Sequence, residues 1–175
     1  MRSAATIAIA GLLAAAALPP ALAQSPHTGG WVGDAKTGCK VWNPHPEPSE
    51  MILWSGACLD GVADGPGKLQ WFKAGKSTAT EINEGTWQKG HQVGRGTQVW
   101  PAGRYEGDVL DGLPHGQGVL TLQNARYDGE FLNGKANGAG TLTRGDKSTQ
   151  GAWKDGCFND GKTKASIGVP VESCQ

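Results

Sequence analysis

Glycine recurs through this chain on a fixed four-point template, and that spacing restricts the available folds more than any other feature. Gly107, Gly112, Gly116 and Gly118 reappear 22 residues later as Gly129, Gly134, Gly138 and Gly140, and 22 residues earlier as Gly85, Gly90, Gly94 and Gly96. A further step of 29 residues gives Gly56, Gly61, Gly65 and Gly67. A fifth copy keeps Gly151 and Gly156, then has Asp160 in the third position. Such self-similarity predicts a repeat architecture.

The residues between the glycines predict what each copy forms. Tyr105-Glu-Gly-Asp-Val and Tyr127-Asp-Gly-Glu-Phe alternate bulky and polar residues with period two, which indicates a strand. A turn dipeptide follows in every copy: Asp60-Gly61, Lys89-Gly90, Asp111-Gly112, Asn133-Gly134 and Asp155-Gly156. Glycine there allows positive φ, so the chain reverses into a second strand. The sequence therefore predicts an all-β fold, a single extended, curled antiparallel meander sheet of tandem β-hairpins.

A half-copy lies upstream of the complete repeats. Gly38-Cys-Lys-Val-Trp42, Gly67-Lys-Leu-Gln-Trp71 and Gly96-Thr-Gln-Val-Trp100 are spaced by 29 residues. We expect residues 38–42 to be an orphan second strand that starts the sheet and pairs antiparallel with residues 54–58. The following Asn43-Pro-His-Pro-Glu-Pro48 is predicted to be a polyproline-like loop, because proline cannot donate to a strand ladder.

The third copy carries a specific family resemblance. Tyr105-Glu-Gly-Asp-Val-Leu-Asp-Gly-Leu-Pro-His-Gly-Gln-Gly118 resembles the MORN repeat, whose pattern is Tyr-x-Gly-x-Trp followed by Gly-x-x-His-Gly-x-Gly. Residues 127–140 are similar, with Asn137 in the histidine position. The resemblance spans about 54–161 and is strongest over 83–143. It implies an extended β-sheet used for protein association or for binding lipid headgroups, and it brings no catalytic residues.

The N-terminus has the features of a secretory signal peptide. Arg2 precedes an apolar stretch over residues 7–18, and Ala21-Leu22-Ala23 provides a small-x-small cleavage pattern. We expect cleavage after Ala23 and a periplasmic or secreted product of exported bacterial type. The predicted organisation is a signal peptide (1–23), an N-terminal segment with the half-repeat strand and proline-rich loop (24–53), the repeat array (54–161) and a C-terminal disulfide-tethered tail (162–175).

Four cysteines in an exported chain of this size predict two disulfides. The expected pairing of strand 38–42 with strand 54–58 brings Cys39 near Cys58. Cys157 lies about eight strands away, or roughly 38 Å at the spacing of paired strands, which is too far for a bridge to either. The predicted bridges are therefore Cys39–Cys58 and Cys157–Cys174, one at each end of the sheet.

One face of the predicted sheet is apolar and aromatic. A lone sheet has no second layer to cover that face, so part of it is expected to stay exposed, and exposed apolar patches mark interaction sites. The alternative is that these side chains pack on their glycines as the core. The candidate partner-binding residues are Trp71, Trp87, Trp100, Tyr105, Tyr127, Phe131 and Trp153.

Several chemistries are disfavoured. Basic and acidic residues balance at 16 each, which does not fit nucleic-acid binding. The histidines never stand at metal-ligand spacing, no C-x-x-C motif occurs, and the carboxylates of the polar face are expected to stay solvated. We therefore expect no metal, no cofactor and no catalytic residue. A hydrolase that uses Glu106 and Asp108 is the disfavoured enzyme alternative.

The preferred function is a non-catalytic scaffold that binds a protein or a cell-envelope component through the aromatic face. The alternative is an envelope protein that binds phospholipid headgroups or polysaccharide. Arg104 and Arg126 recur at the same repeat position and are the candidate contacts for anionic headgroups. Free sheet edges also allow edge-to-edge pairing into a homodimer.

Overall fold

The computed structural model describes residues 29–175, so the predicted signal peptide lies outside the described residues. The regular secondary structure of this part of the chain is all strand apart from one 3₁₀ turn at Val171–Ser173. The strands are β1 (Gly30–Gly33), β2 (Lys40–Asn43), β3 (Met51–Trp54), β4 (Ala57–Leu59), β5 (Val62–Phe72), β6 (Glu81–Gln88), β7 (His91–Trp100), β8 (Gly103–Leu110), β9 (Leu113–Leu122), β10 (Ala125–Leu132), β11 (Lys135–Arg144), β12 (Lys147–Trp153), β13 (Cys157–Asn159) and β14 (Lys164–Ser166).

The predicted hairpin meander is confirmed. Twelve strands form one open sheet in the order β1-β2-β5-β6-β7-β8-β9-β10-β11-β12, with β3 and β4 both paired to β5, while β13 and β14 form a separate ribbon. From β5 to β12 every strand is antiparallel to the next one in sequence.

The five turn dipeptides reverse the chain as predicted. In each, both residues have positive φ: Asp111 at 52° and Gly112 at 80° are representative. Two successive positive φ values define a type I′ turn, whose twist matches that of the flanking strands. The turns are also joined to each other by hydrogen bonds from four of the five turn glycines to the preceding hairpin: Gly90 N to Ala63 O (2.8 Å), Gly112 N to Gln92 O (3.1 Å), Gly134 N to Pro114 O (2.9 Å) and Gly156 N to Ala136 O (2.8 Å).

A row of glycines crosses the sheet and receives the aromatic rings. Gly96, Gly107, Gly118, Gly129, Gly140 and Gly151 are successive cross-strand partners. A Cβ on Gly118 would overlap the Tyr105 ring, and a Cβ on Gly140 would overlap the Tyr127 ring. These rings therefore lie flat on bare backbone, so the sheet is covered by its own side chains. We call this side the packed face and the opposite side the polar face.

Two clusters of buried side chains lie along the packed face. The first is built mainly on β2 to β6 and contains Val41, Ile52, Trp54, Leu69 and Trp87. The second is built on β8 to β14 and contains Tyr105, Tyr127, Phe131, Trp153, Phe158 and Ile167. The terminal segments thus supply cover that the hairpin pattern did not predict. At the C-terminal end, for example, the Phe158 ring lies against Gly151.

The expected pairing of the first strand is wrong. Residues 38–42 do not pair with 54–58. Instead β2 pairs antiparallel with β1 and makes a single parallel pairing, Lys40 with Val62, to β5. Asp34 explains part of this arrangement. Its buried carboxylate accepts hydrogen bonds from the backbone N–H groups of Lys36 and Thr37 and from that of Trp54 (2.8 Å), which ties the β1–β2 turn to β3.

Both disulfides join the cysteines paired in the sequence analysis, with Cα–Cα distances of 5.9 Å for Cys39–Cys58 and 5.3 Å for Cys157–Cys174. The N-terminal bridge forms although the strand pairing from which it was predicted does not. Cys58 lies in β4 and Cys39 immediately precedes β2, and both strands pair with the beginning of β5.

Gly140→Ala tests the ring-on-glycine packing. The new methyl group would displace the Tyr127 ring, and overpacking of this kind costs about 1–3 kcal/mol of unfolding free energy. Urea denaturation measures the loss. The control is Gly33→Ala, where the nearest atom to a new Cβ is the flexible Lys40 side chain at 4.0 Å. Equal effects at the two positions would contradict the packing model.

The disulfides are expected to contribute similarly to stability. Their sequence separations are 19 and 17 residues, so chain-entropy arguments give each about 3 kcal/mol. Replacing either cysteine pair with serine should lower the unfolding free energy by that amount in chemical denaturation. A pair whose removal leaves stability unchanged would show that the bridge does not constrain the unfolded chain as argued.

Candidate functional site

The structure separates the seven predicted aromatic contacts into two groups. Trp87, Tyr105, Tyr127, Phe131 and Trp153 are each at most 4 % exposed, so a partner could touch them only if they left the core. Trp71, at 8 %, and the partly exposed Trp100 line a groove that the buried Trp87 also borders. A direct partner-binding role stays a prediction for all seven residues, and the burial of the first five shows that they pack in the core.

The two tyrosine hydroxyl groups are occupied within the core. Tyr105 Oη donates a hydrogen bond to Asp108 O at 2.6 Å, and Tyr127 Oη donates one to Glu130 O at 3.2 Å. Burial, with a smaller contribution from nearby carboxylates, raises the pKa of each tyrosine to about 12. Both hydroxyls stay protonated at neutral pH and act as donors that fix the rings over their glycines.

The groove lies between the two core clusters and has a volume of about 780 Å³. Its floor is the packed face of β5, β6 and β7, and one wall is the loop over residues 43–50 that follows β2. The turns after β8 and β10 close one end, where Gly112, Leu113 and Lys135 contribute to the lining. This volume falls within the range of pockets that bind small molecules.

The floor is polar because the second repeat departs from its neighbours at four core positions. Asn83 occupies the position of Tyr105 and Tyr127, and Gln98 that of Leu120 and Leu142. Gln92 replaces Pro114 and Ala136, and Glu81 replaces Gly103 and Ala125. All four polar residues line the groove, and the Gln92 amide occupies the space over Gly85 and Gly96 that a tyrosine ring fills elsewhere.

These polar side chains are arranged by the strand register. Trp71 on β5 is the cross-strand partner of Glu81, and Leu69, Asn83 and Gln98 form the adjacent row. Gln98 Nε2 donates to Gly112 O at 2.7 Å and to Gln92 Oε1 at 3.2 Å. Asn83 is 6 % exposed, and its Oδ1 has no hydrogen-bond partner among the described residues. A buried acceptor without a hydrogen bond lowers the stability of the folded state. Such an acceptor is expected where a ligand or a water molecule donates the missing hydrogen bond.

The carboxyl group of Glu81 is electrostatically unusual. Burial raises its pKa above the ordinary value of 4.5, the charge of Glu50 raises it further, and a hydrogen bond with the Asn83 side chain partly opposes the rise. Glu50 belongs to the loop wall, where its Oε2 accepts hydrogen bonds from Asn43 Nδ2 (2.8 Å) and Glu47 N (3.1 Å). Carboxyl groups from the floor and the wall therefore interact across the groove.

The two predicted headgroup contacts lie away from the groove, on the polar face. Arg104 Nη2 is 3.1 Å from Glu106 Oε2, and Arg126 Nη2 is 2.9 Å from Asp128 Oδ2. Each guanidinium is thus paired with a carboxylate two residues along the same strand. Their role toward anionic headgroups stays a prediction, with this pairing as a competing interaction.

Sequence reasoning missed the polar floor and the loop wall. The repeat alignment did place Asn83 in the tyrosine position, and extending the comparison to Gln92, Gln98 and Glu81 would have marked the second copy as exceptional. No local pattern in the sequence shows that residues 43–50 cross this copy. Within residues 29–175, no cluster of His, Cys, Asp or Glu side chains is arranged to hold a metal ion, and no helix is long and apolar enough to span a bilayer.

Glu81→Gln is expected to stabilise the protein at pH 7. Folding raises the pKa of the Glu81 carboxyl, so the folded state favours its protonated form. The resulting contribution to the free energy of unfolding is fully present below about pH 4.5 and is lost as the pH rises through the folded pKa. An amide cannot ionise, so the variant avoids the loss. Thermal melts from pH 3.5 to 7.5 should show a gain in melting temperature that disappears at the acid end. The control is Glu84→Gln, which removes an exposed carboxylate paired with Lys68 at 3.1 Å; an equal pH-dependent gain there would contradict the assignment.

Comparison with known proteins supports the repeat assignment. A family model described as MORN repeat matches residues 84–103, 105–124 and 127–149, three consecutive segments that correspond to the hairpins from β6 to β12. The search of curated proteins gave no significant match.

Proposed function

Because the chain is a MORN-repeat protein and such repeats generally serve as binding modules, we propose that it is a non-catalytic binding module that takes an envelope component or a protein segment into its groove. The observation that carries this proposal is the polar floor of the second repeat. Four core positions that are apolar, aromatic or glycine in the next two copies carry amides or a carboxylate here, and all four line one groove beside tryptophans.

The internal comparison argues for binding rather than for folding. A tyrosine and a leucine at these positions would extend the core of the neighbouring copies and would leave no buried acceptor unmet. The polar residues lose the stabilising free energy of that burial, about 25 cal/mol per Å² of apolar surface. Polar residues that lower stability at core positions of only one repeat are typical of a functional surface.

The compartment is proposed to be the periplasm or the cell exterior. Two disulfides are typical of proteins from oxidising compartments. The signal-peptide pattern of residues 1–23 supports the same location. The free sheet edges leave edge-to-edge homodimer formation as a prediction.

Co-sedimentation with a purified bacterial envelope fraction tests the groove. The wild-type protein should pellet with the envelope, and Trp100→Ala should lower its affinity at least about tenfold, the effect of removing a buried aromatic contact. The matched control is Leu110→Ala, which removes a 46 % exposed apolar side chain outside the groove. A melting curve of each variant separates lost binding from lost folding.

Two results would contradict the proposal: envelope binding that is unchanged in folded Trp100→Ala, or the absence of binding by the wild type. A parallel assay uses phosphatidylglycerol vesicles. Binding to them that weakens with salt and with Arg104→Ala and Arg126→Ala would favour the headgroup function instead.

A further inference from the structure

The groove combines aromatic rings with side-chain amides, and this combination restricts the chemistry of its ligand. Trp71 on the floor and the partly exposed Trp100 offer apolar ring surface to the groove, while the ring of Trp42 is stacked on His91 and packed edge-on against Trp31. A pyranose ring has C–H groups on its faces, which pack against such surfaces, and hydroxyl groups around its rim. Tryptophan suits a ligand that has both apolar faces and polar groups, because its large ring system provides apolar contact area for the C–H faces.

The polar groups of the groove match hydroxyl groups. The side-chain amides of Asn83, Gln92 and Gln98 each contain donors and an acceptor, and a hydroxyl group is both a donor and an acceptor. Gln98 Nε2 already donates to Gln92 Oε1 and Gly112 O, and the Asn43 amide already bonds to Glu50 Oε2 and His45 N. The Oδ1 atom of Asn83 still requires a donor. Glu81, the cross-strand partner of Trp71, supplies a further acceptor.

The charged side chains of the groove favour a neutral ligand over an anionic one. Its charged lining consists of His45, Glu47, Glu50, Lys73, Glu81 and Lys135. Lys73 Nζ is already 2.9 Å from Glu47 Oε2, so the carboxyl groups of Glu50 and Glu81 dominate the interior. A phosphate or a uronic acid would meet these two carboxyl groups, with Lys135 as the lining cation that forms no ion pair among the described residues, whereas a neutral polyol would hydrogen-bond to the carboxyl groups.

From these features we propose that the groove binds a neutral oligosaccharide, an inference that rests on the groove being the binding site proposed above. A sugar face packs on Trp100 beside Trp71, and rim hydroxyls bond to Glu81 and to the amides of the second repeat. The volume of about 780 Å³ lies in the upper part of the range for small-molecule pockets. It therefore fits a chain of a few sugar rings better than a single sugar.

Isothermal titration calorimetry of the disulfide-bonded protein tests the proposal. The probes are cellohexaose, maltohexaose and the hexasaccharide of N-acetylglucosamine, with polygalacturonate as the anionic comparison. At least one neutral probe should bind, and polygalacturonate should bind at least about tenfold more weakly. Glu81→Gln should weaken binding by about three- to tenfold, because a charged acceptor is lost while the shape is kept.

The decisive variant converts the groove floor into the core of a neighbouring repeat. Asn83→Tyr combined with Gln92→Ala reproduces the residues found at Tyr127 and Ala136, where a ring lies over the glycine row. This double variant should melt at or above the temperature of the wild type and should lose binding at least thirtyfold. Leu110→Ala should keep wild-type affinity within twofold.

Each outcome decides the proposal. Groove-dependent binding of a neutral probe supports it. Failure of all three neutral probes, tighter binding of polygalacturonate, or unchanged binding by the folded double variant would overturn it. If the neutral probes fail while envelope co-sedimentation still depends on Trp100, the groove remains the binding site and only the ligand class is wrong. Loss of the Trp100 dependence as well would overturn the proposed function itself.

Discussion

The contact between an aromatic ring and bare glycine backbone is the interaction on which this structure depends. In a single sheet, apolar side chains on one face have no opposing layer to pack against. The glycine row removes the Cβ atoms that would hold a ring away, so the rings of Tyr105 and Tyr127 cover the backbone of neighbouring strands. Each repeat thereby builds its own layer of core, and the type I′ turns with their turn-to-turn hydrogen bonds keep successive layers aligned.

The need for a ring to cover the glycine row also explains where the groove forms. Over the glycine row, a position holds either a large ring, which closes the face, or a smaller polar side chain, which leaves space. The second repeat has Asn83 and Gln92 at this point, so the two cores end on either side of it. The binding site is therefore a repeat in which the core-forming residues have been replaced, and its strands retain the regular pairing of the array.

The predictable part of this fold is the local part. Turn dipeptides, strand alternation and hairpin order involve residues close in sequence, so the glycine spacing was sufficient to predict β5 to β12. The N-terminal segment was predicted less well because its contacts are non-local: β2 meets β5 in parallel, and Asp34 binds the N–H of Trp54, 20 residues away. For the same reason, the sequence indicated which side chains were aromatic but could not show which of them are buried in the two cores and which lie beside a groove.

The disulfide at the N-terminal end lies close in sequence to the wall of the groove. Cys39 is joined to Cys58, β2 begins at the next residue, and the groove wall starts where β2 ends at Asn43. One parallel pairing links β2 to β5, and hydrogen bonds from Lys40 N to Gly61 O (2.9 Å) and from Trp42 N to Gly90 O (2.8 Å) join β2 to the turns before β5 and β7. The bridge restricts the position of the wall relative to the floor, and Asn43, Glu50 and Glu81 can face one another because the loop is held there. Oxidation of Cys39 and Cys58 therefore adds a covalent restraint at the start of the segment that leads into the groove wall.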